Sequence, residues 1–173
     1  MDYLNKYGNG NTFIETGTYL GDTVMLALDA GYKQIHSCEL NDELYKNACE
    51  QFRRNHKVRI WHGDSVDCLW QIQQQRGPGA ATFWLDAHAS GPLVGGKSGG
   101  SPVLDELRII KHYIDLFPDD TIFIDDRRLF GSEEWSGVKE EDAIALLNEI
   151  NPNYNILFLD GHIPGDVICA TVR

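Results

Sequence analysis

Apolar positions along the chain follow two alternating patterns. Short runs rich in β-branched and aromatic residues have the length of strands: Thr12 to Ile14, Gln34 to Leu40, Val58 to Trp61, Ala80 to Asp86, Thr121 to Ile124, Asn155 to Leu159 and Val167 to Val172. Between them apolar residues recur at helical spacing, as in Val24, Ala27 and Leu28, or Leu44, Ala48 and Phe52. The same spacing marks Val66, Leu69 and Trp70, then Val103, Leu107, Ile110 and Ile114, then Ala143, Leu147 and Ile150. The punctuation agrees. Asn41 or Asp42 can cap the second helix, Gly77-Pro78-Gly79 stops the third, and Ser101 starts the fourth with Pro102 at its first position. Strands alternating with helices predict an α/β fold, one doubly wound Rossmann-like domain with a mostly parallel sheet covered on both faces. The last two strand runs, joined by Asp160 to Gly165, predict an antiparallel last strand. Ligands of such sheets bind beyond the carboxyl ends of the strands.

Acidic residues gather at those ends: Glu15, Glu39, Asp64, Asp86 and the pair Asp125-Asp126. The first strand runs into Glu15-Thr16-Gly17-Thr18-Tyr19-Leu20-Gly21, an E-x-G-x-x-x-G turn that lacks the first glycine of the dinucleotide fingerprint. Glycine there permits a tight turn and a close approach. Glu39 ends the second strand, where a carboxylate can accept hydrogen bonds from ribose hydroxyls. Gly63-Asp64-Ser65 forms a third acidic turn.

In order and spacing these residues resemble the successive cofactor motifs of the class I S-adenosylmethionine-dependent methyltransferases. The resemblance implies that Glu15, Thr16, Gly17, Thr18, Tyr19, Gly21, Asp22 and Thr23 surround the methionine part of the cofactor. It implies Glu39 and Leu40 for the ribose, Gly63, Asp64 and Ser65 for the adenine edge, and Asp86 as a further cofactor-site residue.

Asp86, Asp125 and Asp126 are hard oxygen donors at the ends of two strands, suited to Mg²⁺. Such an ion would bind an acceptor hydroxyl and lower its pKa. His88 follows Asp86 by two residues and offers a general base. This set is similar to the metal-dependent sugar O-methyltransferases of the macrocin and novobiocin type. That resemblance implies Asp86, Asp125 and Asp126 as metal ligands, Asp86 and His88 as catalytic residues, and a sugar or nucleotide sugar as acceptor. His88 departs from the pattern, standing where that family has an Asp. Lys97, Arg127 and Arg128 are candidates for an anionic group of the acceptor. The first strand begins at Thr12, so acceptor recognition is expected from loops 89–101 and 127–136 or from a second copy in a homodimer.

Blander readings compete at several positions. Asp125-Asp126 beside Arg127-Arg128 also reads as a surface ion-pair cluster. Glu106 reads as a first-turn acid complementing its helix dipole, and His162 as a turn residue. Trp70 and Trp84 read as core, while Trp61 and Trp135 stay open.

One motif points elsewhere. Gly91 to Ser98 satisfies the phosphate-loop pattern G-x-x-x-x-G-K-[ST], and Thr121 to Asp125 resembles its partner strand. A helix opening at Lys97 would have to pass through Gly99-Gly100-Ser101-Pro102, which opposes that reading. Three alternatives therefore stand beside the metal-dependent enzyme. They are a metal-independent methyltransferase using His88 as base, a P-loop nucleotidase dependent on Lys97, and a non-catalytic adenosyl-binding partner subunit.

Composition narrows the partners. The 173 residues suit one domain, and a net charge of −11 opposes a nucleic-acid backbone as partner. Cys38, Cys49, Cys68 and Cys169 form no C-x-x-C pair and are expected to be reduced core residues. No apolar stretch approaches the ~20 residues that span a bilayer, and Met1 to Lys6 lacks a signal-peptide core. The expectation is a cytoplasmic protein without a membrane partner.

Overall fold

The computed structural model describes residues 3–87 and 101–173. A short helix α1 (Tyr3–Tyr7) leads into β1 (Thr12–Thr16), α2 (Asp22–Asp29), β2 (Gln34–Glu39), α3 (Asp42–Phe52), β3 (Val58–His62), α4 (Ser65–Gln75) and β4 (Ala81–Leu85). Then follow α5 (Val103–Tyr113), β5 (Thr121–Ile124), a 3₁₀ turn (Arg127–Leu129), α6 (Glu140–Ile150), β6 (Asn155–Leu159) and β7 (Val167–Thr171). The seven strands form one sheet in the order β3-β2-β1-β4-β5-β7-β6. Strands β1 to β5 pair in parallel; β7 slots between β5 and β6 and runs antiparallel to both.

Why β7 is interior and β6 is edge follows from their residues. Every residue of Val167–Thr171 is buried, as a strand covered on both faces requires, whereas no residue of β6 is fully buried and Phe158 is 49% exposed. Along β1 successive side chains take opposite faces. Phe13 joins a cluster with Leu4, Val24, Ala27 and Phe52 from α1 to α3. Ile14 joins one with Leu69, Leu107 and Leu147 from α4, α5 and α6. Each fully buried Phe, Ile or Leu contributes about 1.5–3 kcal/mol against exposure. The central strand thus pins helices on both faces, and its carboxyl end lies mid-sheet.

The helix starts are local chemistry. Asn41 accepts from the backbone N–H of Glu43 and Leu44 at 2.9 and 3.0 Å, capping α3. Asp64 does the same for α4 through Val66 N–H at 3.0 Å. Pro102 occupies the N-cap of α5, one position earlier than the sequence suggested, and Ser101 Oγ accepts from Val103 N–H.

At the amino ends of the strands, Arg76 and Asp120 form a buried ion pair of 2.7 Å, each side chain 1% exposed. The other Asp120 oxygen accepts Ala81 N–H at 2.7 Å, and Arg76 lies 3.4 Å over the Phe117 ring. Trp84 is core as expected. Trp70 is not: it is 39% exposed and packs against His112 and Tyr113 at the surface. Trp61 and Trp135 are both buried. The four cysteines are free. Among the described residues no helix is long and apolar enough to cross a membrane.

Candidate functional site

The turn after β1 is built by its glycines. Gly17 has φ +91°, and a Cβ there would lie 2.6 Å from the Asp86 carbonyl oxygen, so only glycine lets β1 and β4 end side by side. Gly17 and Thr18 N–H both bond the Cys38 carbonyl, tying the turn to β2. Gly21, the N-cap of α2, has φ +82°, and what approaches it closely is the Phe52 ring of α3.

Glu15 and Glu39 sit against this turn. Glu39 is 7% exposed; its Oε2 accepts Tyr19 N–H at 2.9 Å and its Oε1 accepts Asn41 N–H at 2.8 Å. The carboxylate therefore organises both the β1 turn and the start of α3, while each oxygen keeps a second lone pair for a ligand hydroxyl. Glu15 is 1% exposed and bonds Ser37 Oγ, with Thr18 Oγ1 2.6 Å from that same hydroxyl. Burial pushes Glu15 up to about 8, against the hydrogen bonds of Ser37 and Thr23 and with repulsion from Asp86 and Glu39. Tyr19, Leu20 and Leu40, next to these turns in the chain, are exposed large hydrophobic residues. Asp22 is exposed at the start of α2.

Asp86 and Asp125 follow the neighbouring strands β4 and β5. Asp86 N–H bonds Thr16 through both its carbonyl, at 3.1 Å, and its hydroxyl, at 3.2 Å; Asp125 N–H bonds Leu85 O at 3.1 Å. Burial, and then Asp86, raise Asp125 to about 7. Asp126 adopts φ +55° and gives its N–H to Asp125 Oδ1 at 2.8 Å. The carboxylates that gather within 4.8 Å of one another are Asp125, Asp126 and Asp166, the last from the turn before β7. Asp86 is a neighbour of that group and not one of its three members.

Hard oxygens so spaced suit a divalent cation, but a guanidinium is already among them. Arg128 Nη1 pairs with Asp126 Oδ1 at 2.5 Å and with Asp166 Oδ2, and its backbone N–H bonds Asp166 Oδ1. The donor set therefore fits a metal only with Arg128 displaced. Arg127 is engaged as well, with Glu140 at 2.9 Å, the Gly165 carbonyl and the face of Phe158. His88, Lys97 and the Gly91–Ser98 motif lie outside the described residues.

Of two further acids here, Asp166 carries no motif in the sequence and Glu106 reads there as a helix-dipole acid. Asp166 hides in a turn, its only signal being an acid placed before a buried apolar run. Glu106 is no surface helix-end acid: it is 1% exposed, and its carboxyl faces the hydroxyls of Ser65 and Thr16. Its position three residues after Val103 and one before Leu107 puts it on the buried stripe of α5, a legible signal. A groove of about 230 Å³ opens at the opposite, amino ends of β1 and β2, lined by Leu4, Gly8, Tyr32 and Arg173 among others, and none of the acidic turns lines it.

A seven-stranded sheet of this order with a reversed β7 and acidic turns at its carboxyl end has the Rossmann-like methyltransferase fold. No family model and no curated protein matches the chain by sequence. Solved structures do match by shape. An O-methyltransferase from Bacillus cereus in complex with S-adenosylhomocysteine (SAH) superposes with a TM-score of 0.61 at 15% identity, over 97% of this chain and 76% of that one. SAH-bound Podospora anserina methyltransferase PaMTH1 gives 0.60 at 13%, over 94% and 72%. The N-methyltransferase NodS from Bradyrhizobium japonicum gives 0.52 at 9%, over 96% and 86%. At such identities the likeness is one of fold, and it spans methyltransferases of oxygen and of nitrogen alike.

Proposed function

We propose that the chain binds S-adenosylmethionine and transfers its methyl group to a hydroxyl oxygen of a small polyhydroxyl acceptor, a sugar or nucleotide sugar. The observation that carries this reading is the convergence of the Gly17 turn, Glu39 and Asp64-Ser65 at the carboxyl ends of three adjacent strands in a methyltransferase fold. Glu39 would take the ribose hydroxyls on its remaining lone pairs. Asp64 and Ser65 would meet the adenine edge, with the exposed Leu40 against its face. Glu15, Thr16 and the Gly17–Thr23 segment would enclose the methionine part.

In the reaction the acceptor oxygen attacks the sulfonium methyl carbon in line. The C–S bond breaks, its electron pair stays on sulfur as the SAH thioether, and the hydroxyl proton passes to a base. His88 or Asp86 is the proposed base. Orientation supplies most of the rate, because the sulfonium is already activated. Bound Mg²⁺ would lower the acceptor hydroxyl pKa, held by Asp125 and Asp126 with Asp86 or Asp166. A second reading, without metal, is favoured by the pairing of Arg128 with Asp126 and Asp166. Arg128 then supplies the positive charge beside the acceptor.

The test is SAH production from S-adenosylmethionine over a panel of sugars and nucleotide sugars, with Mg²⁺ or with chelator. Turnover that chelator and Asp125→Ala both abolish supports the metal-dependent enzyme. Turnover indifferent to chelator and lost in Arg128→Ala supports the second reading. SAH binding with no turnover on any hydroxyl acceptor contradicts both and favours a non-catalytic partner subunit.

A further inference from the structure

Glu106 is a buried carboxyl that the reaction above does not use. It projects from the first turn of α5 to the ends of two other elements. Thr16, at the end of β1, faces it, and the Thr16 hydroxyl already accepts Asp86 N–H, so its own proton is available to the Glu106 carboxyl. Ser65, in the first turn of α4, faces it from the other side. One carboxyl thus stands where the ends of β1 and β4 and the starts of α4 and α5 meet. Among the described residues its Oε1 has no hydrogen-bond partner, although the residue is 1% exposed.

For the fold alone this arrangement is unfavourable. A buried carboxyl with an unmatched oxygen costs stability that an apolar side chain of similar volume would not. Burial accordingly raises the group to about 7, with Asp64 and Asp86 adding repulsion. Residues that oppose folding locally are expected where a site requires them.

We propose that Glu106 is a positioning residue of the cofactor pocket, holding Thr16 and Ser65 so that the methionine-side and adenine-side turns keep one fixed separation. This rests on reading the pocket as an adenosyl site. Fixed spacing matters to a ligand that bridges both turns and little to one that occupies a single turn, because linkage pays only when both ends fit at once.

The test uses Glu106→Gln and Glu106→Met in the full chain, with calorimetric titration of SAH and of adenosine alone, and thermal unfolding. The expected result for Glu106→Met is a Tm at or above wild type and SAH binding weakened about tenfold or more. Its affinity for adenosine stays within about twofold, and Glu106→Gln loses less. A Tm that falls in both variants, or failure to fold, assigns Glu106 to the fold and overturns the proposal. So does SAH binding within about twofold of wild type, or an equal loss for adenosine. If wild type does not bind SAH, the adenosyl reading itself falls and the proposal with it. If wild type binds and Glu106→Met binds equally, only the proposal falls.

Discussion

Replacing Gly17 with Ala should damage the chain in two separable ways. The residue sits at φ +91°, where an L side chain is strained by about 1–3 kcal/mol. The new Cβ would also lie 2.6 Å from the Asp86 carbonyl oxygen and 3.1 Å from its carbon, both backbone atoms that cannot rotate away. Such overpacking costs about another 1–3 kcal/mol. Gly31 separates the two effects. It has φ +88° in the turn after α2, but nothing lies within 4 Å of its added Cβ. Both substitutions stiffen the unfolded chain equally, so that contribution cancels in the comparison. Gly31→Ala should therefore lose about 1–3 kcal/mol and Gly17→Ala about 2–6, against a total stability of about 5–15. Urea unfolding followed by circular dichroism measures the difference, and SAH titration measures the consequence. Gly17→Ala should bind SAH far more weakly, while Gly31→Ala should match wild type. Equal stability losses, or wild-type SAH affinity in Gly17→Ala, would refute the close approach of β1 and β4 as the reason for glycine.

Asp120→Ala should cost about 3–5 kcal/mol in urea unfolding, since it strands the buried Arg76 guanidinium and the Ala81 N–H; a loss under about 1 kcal/mol would contradict a buried pair. Stability should also fall as pH rises. Glu15 and Glu106, at about 8 and 7 in the fold against 4.5 as free side chains, bind protons in the native state that the unfolded chain has released. Between about pH 5 and 7 each removes up to about 1.4 kcal/mol per pH unit. Glu15→Gln should flatten that slope, and a urea midpoint rising over this range in wild type would count against the burial of both carboxyls.

Much of the fold was legible because strand and helix periodicities are local. The cap of α3 is legible as Asn41 or Asp42, and the reversed last strand follows from the short Asp160–Gly165 connection. What stayed hidden was set by tertiary placement. Trp70 reads as core at its helical spacing, yet its position on α4 turns it toward His112 and Tyr113. Glu106 reads as a first-turn acid complementing the helix dipole, although its place on the apolar stripe points inward. Asp166 joins Asp125 and Asp126 only because β7 returns between β5 and β6, a sheet order that no local pattern encodes. The same return brings Arg128 onto Asp126 and Asp166, an ion pairing equally invisible to local pattern.

The most direct measurement is calorimetric titration of SAH into wild type and Glu39→Ala, with circular dichroism to verify that both are folded. Wild type should bind in the micromolar range and the variant at least about tenfold more weakly, because Glu39 shapes the β1 turn and, in the proposed adenosyl site, would take the ribose hydroxyls. Absence of SAH binding by folded wild type, or undiminished affinity in Glu39→Ala, would contradict it.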